Sequence, residues 1–229
     1  RHGHGVDDVW LNLDNVEVVA VADEDEPARA RTAAKLKAKN AYADYRQMLE
    51  KERPQIVSVA DSHVDSHRDA VLACARSGAS VVLEKPMCLT LAEADEMVKA
   101  CELRHVKLCI AFQTRYSPVV QRIQELLGAG RLGDLVEMHA RGKEDARGAP
   151  HDHATHGCHL FNLMRTFAGD ARWCLGKVME KGRPITRADV RDEPRESVGP
   201  VAGDHITSSY GFDRGVLGTW ATISAVVGN

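Results

Sequence analysis

Apolar positions in the first half of the chain switch repeatedly between a helical and a strand-like period. Val6, Val9, Trp10 and Leu13 recur at helical spacing just after Gly3 and Gly5. Val16 to Ala22 (V-E-V-V-A-V-A) reads as a strand ending at Asp23, and Pro27, suited to a first helical turn, opens an Ala- and Arg-rich helix to Leu36. The next unit is a helix over Tyr45 to Glu52 and a strand over Gln55 to Ala60. A third places His67, Ala70, Val71 and Cys74 on one helix face before the strand Ser80-Val-Val-Leu-Glu-Lys-Pro86. A fourth, capped by Thr90, places Ala94, Met97, Val98 and Cys101 on one face before a strand over Lys107 to Phe112. Strands alternating with helices of this length predict an α/β fold with a doubly wound parallel sheet.

Beyond Phe112 the pattern changes. Val120, Ile123 and Leu127 mark a helix, Gly128 to Asp134 is a Gly-rich junction, and Leu135 to Lys143 reads as a strand. Leu160, Leu163, Met164 and Phe167 form the apolar stripe of a helix from about Gly157. Strands over Asp204 to Phe212 and Val216 to Ala225 are joined by a tight Asp213-Arg-Gly215 turn, while residues 183–203 read as a long loop. This predicts a second, α+β domain with a largely antiparallel sheet, and a division into residues 1–115 and 116–229.

The C-terminal ends of the first-half strands carry the chemistry: Asp23; Asp61, Ser62 and His63; Glu84 and Lys85; Gln113, Arg115 and Tyr116. In an open parallel sheet such ends face the ligand crevice. Lys85 precedes a proline, which holds it out of the helical region with its amine beyond the strand end. Gly3 fits the last glycine of a G-x-x-G turn opening the first helix of a Rossmann unit, and Asp23 follows it by 20 residues, the separation at which an acid meets the adenosine ribose. Glu24, Asp25 and Glu26 come next, so a 2′-phosphate would be repelled and NAD is favoured over NADP.

A formal net charge of −3 gives no electrostatic case for nucleic acid or an anionic membrane, and no apolar run approaches a membrane span. The six cysteines show no C-x-x-C spacing, which suits reduced thiols in a cytoplasmic protein. The chain opens at Arg1 without an initiator Met and stops at Asn229 inside strand-like sequence, so both ends are expected to be cut short. Four histidines within His151–His159 invite a zinc reading, but H-x-H-x-x-H-x-x-H matches no ligand spacing with a mechanical rationale, and no metal ligand is assigned. Thr155, His159 and Asn162 instead share a polar helix stripe, spaced by four and three residues.

Glu84-Lys-Pro86 at a strand end, then L-T-L-A-E-A-D-E, A-F-Q-T-R-Y-S-P and G-R-L-G-D before a new sheet, resemble the glucose-fructose oxidoreductase, inositol dehydrogenase and MocA-like family. The likeness runs from about Gly3 to Ala225. It implies a two-domain NAD(P)-dependent oxidoreductase that oxidises a secondary alcohol of a sugar, cyclitol or derivative and self-associates through the second-domain sheet. It implies Lys85 and His159 as catalytic residues and Gly3, Asp23, Asp61, Ser62, His67, Glu84 and Gln113 as cofactor contacts. Arg115, Tyr116, Thr155 and Asn162 are the candidate substrate contacts. Thr155 stands where the family often has an Asp to orient the histidine; Asp152 could substitute only if its loop bends back, and Asp61-Ser62 replaces the family's Thr-Pro. Three rivals stay open: a redox-neutral NAD-dependent glycosidase, a non-catalytic dinucleotide-binding protein, and a zinc hydrolase built on residues 151–159.

Overall fold

The computed structural model describes residues 8–193 and 195–224. The chain divides into two compact units, Arg1–Ala111 and Phe112–Asn229. The first runs β1 (Ala20–Ala22), α1 (Glu26–Leu36), β2 (Asn40–Tyr42), α2 (Tyr45–Glu52), β3 (Ile56–Val59), α3 (His67–Ser77), β4 (Ser80–Leu83), α4 (Leu91–Leu103) and β5 (Leu108–Ile110). Strand pairing is parallel throughout its described residues, β1 with β2 and, separately, β3–β4–β5 in that order.

Local chemistry sets the helix boundaries. Asp25 Oδ1 accepts from Ala28 N at 2.7 Å to cap α1, with Pro27 in its first turn. Thr90 and Glu93 make a reciprocal capping box at the start of α4. Gly78 ends α3 in the left-handed region at φ 84°, a conformation costly for residues with a Cβ. Between helices and strands lies an apolar core of Val71, Cys74, Ala75, Val81, Leu83 and Met97, each 1% exposed or less.

Two expectations for this unit change. The opening segment is a 3-10 turn over Asp8–Asn12 rather than an α-helix, and the residues before it, including Gly3, lie outside the described residues. The strand expected over Val16 to Ala22 shortens to β1, the three residues that pair in register with β2. β2 itself escapes sequence reading, since Asn-Ala-Tyr offers no alternation to detect.

The second unit runs α5 (Pro118–Gly128), β6 (Glu137–Arg141), α6 (Ala149–Asp152), a π-helical turn over His153–Gly157, α7 (Cys158–Ala168), β7 (Trp173–Glu180), β8 (Arg183–Pro184), β9 (Arg191–Asp192), β10 (Pro200–Val201), β11 (His205–Gly211) and β12 (Leu217–Ile223). Five strands form one mixed sheet in the order β6–β12–β11–β7–β8, with β6 parallel to β12 and the other pairs antiparallel. β7 goes undetected in the sequence because Gly176 and Lys177 interrupt its alternation. Residues 183–203 are not a plain loop: β8 extends the sheet and β9 pairs with β10. α6 packs against β11 and β12. Ile206, Ser208, Trp220 and Thr222 are buried, whereas Leu175 and Lys177 of β7 are exposed. Among the described residues no helix is long and apolar enough to cross a membrane.

Candidate active site

In the first unit the site is built from strand exits. Glu84 N donates to Val59 O at 2.8 Å and Ala111 N to Leu83 O at 2.8 Å, so β3, β4 and β5 are hydrogen-bonded through their last residues. Glu84 and Lys85 leave β4 there, 3% and 7% exposed, and the Lys85–Pro86 peptide is cis. A lysine this buried is uncommon, because its ammonium must find compensation inside the protein.

The loop after β3 is tied by its own side chains. Asp61 Oδ1 accepts from His63 N at 2.9 Å and Oδ2 from Ser66 Oγ at 2.9 Å, and the adjacent Ser62 is buried. His67, the first residue of α3, is completely buried with both ring nitrogens against backbone carbonyls. Asp23 follows β1, where its Oδ1 accepts from Asp25 N at 2.9 Å and its carbonyl accepts from Arg29 Nη1 at 2.6 Å.

The second unit holds the other expected groups. Gln113, Arg115 and Tyr116 form an exposed 3-10 turn, with the Arg115 guanidinium 5.8 Å from the centre of the Tyr116 ring. His159 is half-buried on α7, its ring edge-on to Phe112 with 5.6 Å between centroids. Three residues on, Asn162 keeps its Oδ1 buried without a hydrogen-bond partner.

Helix begins here at Ala149, eight residues before the expected start at Gly157, and a π turn interrupts it. A π turn frees carbonyls from the regular ladder and is frequent at functional sites. Side chains occupy two carbonyls of this stretch, as Thr155 Oγ1 donates to His151 O at 3.0 Å and Cys158 Sγ to Thr155 O at 3.3 Å. The Thr155 hydroxyl, 3% exposed, is therefore committed to backbone. Asp152 lies in α6 rather than on a loop that bends back, and its Oδ2 accepts from Thr222 Oγ1 at 2.8 Å. Gly142 makes room for that pair, since a Cβ there would stand 2.0 Å from Asp152 Oδ2.

Burial pushes the His151 and His153 imidazoles below the usual histidine range. Arg147 Nη2 donates to Asp145 Oδ2 at 2.7 Å, and that guanidinium lowers the Asp145 carboxyl to about 2. Among the described residues no three His, Cys, Asp or Glu side chains converge as metal ligands would. A concavity of about 660 Å³ by the sheet, lined by Lys177, Met179, Asp204, His205, Thr207 and Ile223 among others, contains none of the expected site residues. Sequence reasoning missed the buried Asp152–Thr222 pair, which joins positions 70 residues apart and leaves no local signal.

Residues 6–112 match a family described as an oxidoreductase family with an NAD-binding Rossmann fold. Over this region the chain is similar to the Gfo/Idh/MocA family. A D-apiose dehydrogenase of Paraburkholderia graminis is 32% identical over 124 residues, 54% of this chain and 33% of that protein. A trans-1,2-dihydrobenzene-1,2-diol dehydrogenase of Mus musculus is 34% identical over 119 residues, 52% of this chain and 35% of that protein. The matches to these curated relatives thus span about a third of their length. Fold similarity extends further: the crystal structure of an oxidoreductase from Agrobacterium radiobacter in complex with NAD+, L-tartaric acid and magnesium aligns over 97% of this chain and 63% of its own, at TM-score 0.76 and 18% identity.

Proposed function

We propose that the chain belongs to an NAD-dependent dehydrogenase that oxidises a secondary alcohol of a sugar, cyclitol or related diol. One observation carries the reading: a buried lysine at the exit of a parallel strand, in Glu84-Lys85-Pro86, in a chain whose relatives are named dehydrogenases. The residues present suit NAD. The Asp23 carboxylate has acceptor capacity left for ribose hydroxyls after its bond to Asp25 N, and acidic neighbours oppose a 2′-phosphate. Arg29 is spent on the carbonyls of Asp23 and Glu24. Asp61, Ser62, Glu84 and Gln113 complete the proposed cofactor contacts.

Bound NAD supplies the acceptor for the hydride leaving the carbinol carbon. The Lys85 ammonium donates to the substrate hydroxyl oxygen, orienting and polarising it. His159 takes the hydroxyl proton, because an imidazole exchanges protons near neutral pH where a lysine ammonium does not readily do so. Asn162 Oδ1, buried without a partner, is the better placed of the two polar helix groups to accept from a second substrate hydroxyl. Thr155 has already given its proton to His151 O. Arg115 and Tyr116 are the remaining substrate contacts.

Replacing Lys85 by Ala tests the assignment. Turnover of D-apiose and a panel of sugars and polyols, followed by NADH absorbance, is expected to fall at least about a hundredfold. NAD affinity is expected to stay within about threefold, since the side chain serves the substrate oxygen; near-normal turnover would end the assignment. Product formation without a matching absorbance change would move the chain to the redox-neutral glycosidases. Self-association through the β7 face of the sheet belongs to the same proposal, and a Leu175→Glu variant that sediments like the unaltered protein would count against it.

A further inference from the structure

Among the described residues expected to contact the cofactor, His67 alone has no surface left for one, being 0% exposed. Its Nε2 lies 2.8 Å from Asp61 O. On the other side of the ring, Nδ1 lies 2.9 Å from Pro86 O and 3.3 Å from Met87 O. All three neighbours are carbonyl oxygens, which only accept. A neutral imidazole owns a single N–H, so one of its nitrogens would turn a lone pair toward a carbonyl lone pair. With a proton on each nitrogen, both sides become charge-assisted hydrogen bonds, the stronger kind. A buried cation is tolerated only where hydrogen bonds replace its hydration, and three carbonyl dipoles around one ring do so. They must also offset the helix dipole, because His67 stands at the N-terminus of α3, where positive charge is disfavoured.

What the ring joins gives the contact its meaning. Asp61 belongs to the loop after β3, and Pro86 and Met87 form the turn that begins immediately after Lys85. We propose that His67 is a positioning residue whose ring, protonated on both nitrogens, clamps the loop after β3 to the turn after Lys85 and so fixes the direction in which that lysine leaves the sheet. The functional weight of the clamp rests on the reading of Lys85 as catalytic. The clamp itself is a property of the first unit.

Nitrogen-15 and proton NMR of the imidazole in the unaltered chain at neutral pH tests the ring directly, with His67 assigned through its backbone amide. Two protonated ring nitrogens, each with a slowly exchanging N–H signal, are expected; a ring carrying one proton overturns the proposal. A His67→Gln variant, which keeps donors at one end only, tests the consequence. Acylation of Lys85 by acetic anhydride, read by peptide mass spectrometry, is expected to rise at least fivefold. The exposed Lys107 should change less than twofold, and Cys74, buried in the same unit, should stay protected from iodoacetamide, which separates local release of the turn from unfolding. Unchanged Lys85 acylation in a folded variant overturns the clamp, and if the variant does not fold, the ring measurement on the unaltered chain decides. A doubly protonated ring together with a fully active Lys85→Ala variant would remove the catalytic reading and leave the clamp. An inactive Lys85→Ala variant with a singly protonated ring would do the reverse.

Discussion

The two units bury different materials. Under the strands of the first lie Val71, Ala75, Val81, Leu83 and Met97, all apolar, and the chemically capable Glu84 and Lys85 sit past the strand end, outside that core. In the second, the apolar cluster of Met164, Phe212 and Val216 is small, and Asp152, Thr155, Ser208 and Thr222 are buried in the same unit. Several of its buried polar atoms, including His151 Nε2, Asp152 Oδ1 and Trp220 Nε1, have no hydrogen-bond partner among the described residues. Each such atom costs stability, because folding takes it from water and returns nothing. Apart from His67, which is buried and proposed to position Lys85, stability and chemistry therefore fall on different residues in the first unit and share residues in the second, so a substitution of Lys85 itself can be read as a change in function more safely than one near His159.

The largest test of that contrast is Leu83→Ala. The side chain is fully buried in β4, and deleting it should cost about 2–5 kcal/mol in transfer and cavity terms, measured by urea unfolding. A cost below about 1 kcal/mol would mean that the apolar core does not hold the strand exits in place. A smaller effect is expected from Thr222→Val in the second unit, which preserves shape but removes the hydroxyl that donates to Asp152 Oδ2. The remaining donor there, Glu144 N, is 3.5 Å away, so the nearly bare carboxylate should cost about 1–3 kcal/mol. A neutral outcome would show that the polar core of the second unit is not what sets its stability.

The same contrast explains what the sequence makes legible. Parallel strands buried on an apolar core announce themselves as short β-branched runs, and the Glu84-Lys-Pro86 exit follows because charge and proline interrupt such a run abruptly. The helices of the first unit are legible through their caps, as at Thr90 and Asp25. β7 is not, because its exposed Leu175 and its Gly176 remove the alternation of a half-buried strand. The π turn is invisible for a different reason: Gly157, at its end, packs against Phe161 and Trp220, where a Cβ would come within 3.4 Å of both rings, and Trp220 lies 63 residues away. His67 is legible as a residue worth naming but not as a clamp, since its partners are backbone carbonyls and every residue type presents one.

The smallest effect is a pH dependence that the polar core should add to the second unit. His153 packs against Phe161 and Trp220 with 5.4 and 6.1 Å between ring centres, and its Nδ1 is buried without a hydrogen-bond partner. Burial lowers its proton affinity in the folded chain, only partly opposed by the nearby Asp152 charge, whereas the unfolded chain titrates near the ordinary value of 6.5. As pH falls through that value the unfolded chain binds a proton first, so this contribution to stability is complete above it and drains away as pH drops toward the lower folded value. His151 acts in the same direction, burial again being the main cause. The melting temperature of the unaltered protein should therefore fall between about pH 7.5 and 5.5. A His153→Phe variant, which keeps an aromatic ring against Trp220 and has nothing to protonate, should lose less over the same interval. Equal losses in the two proteins would place the acid sensitivity elsewhere and remove His153 as the source of the second unit's pH dependence.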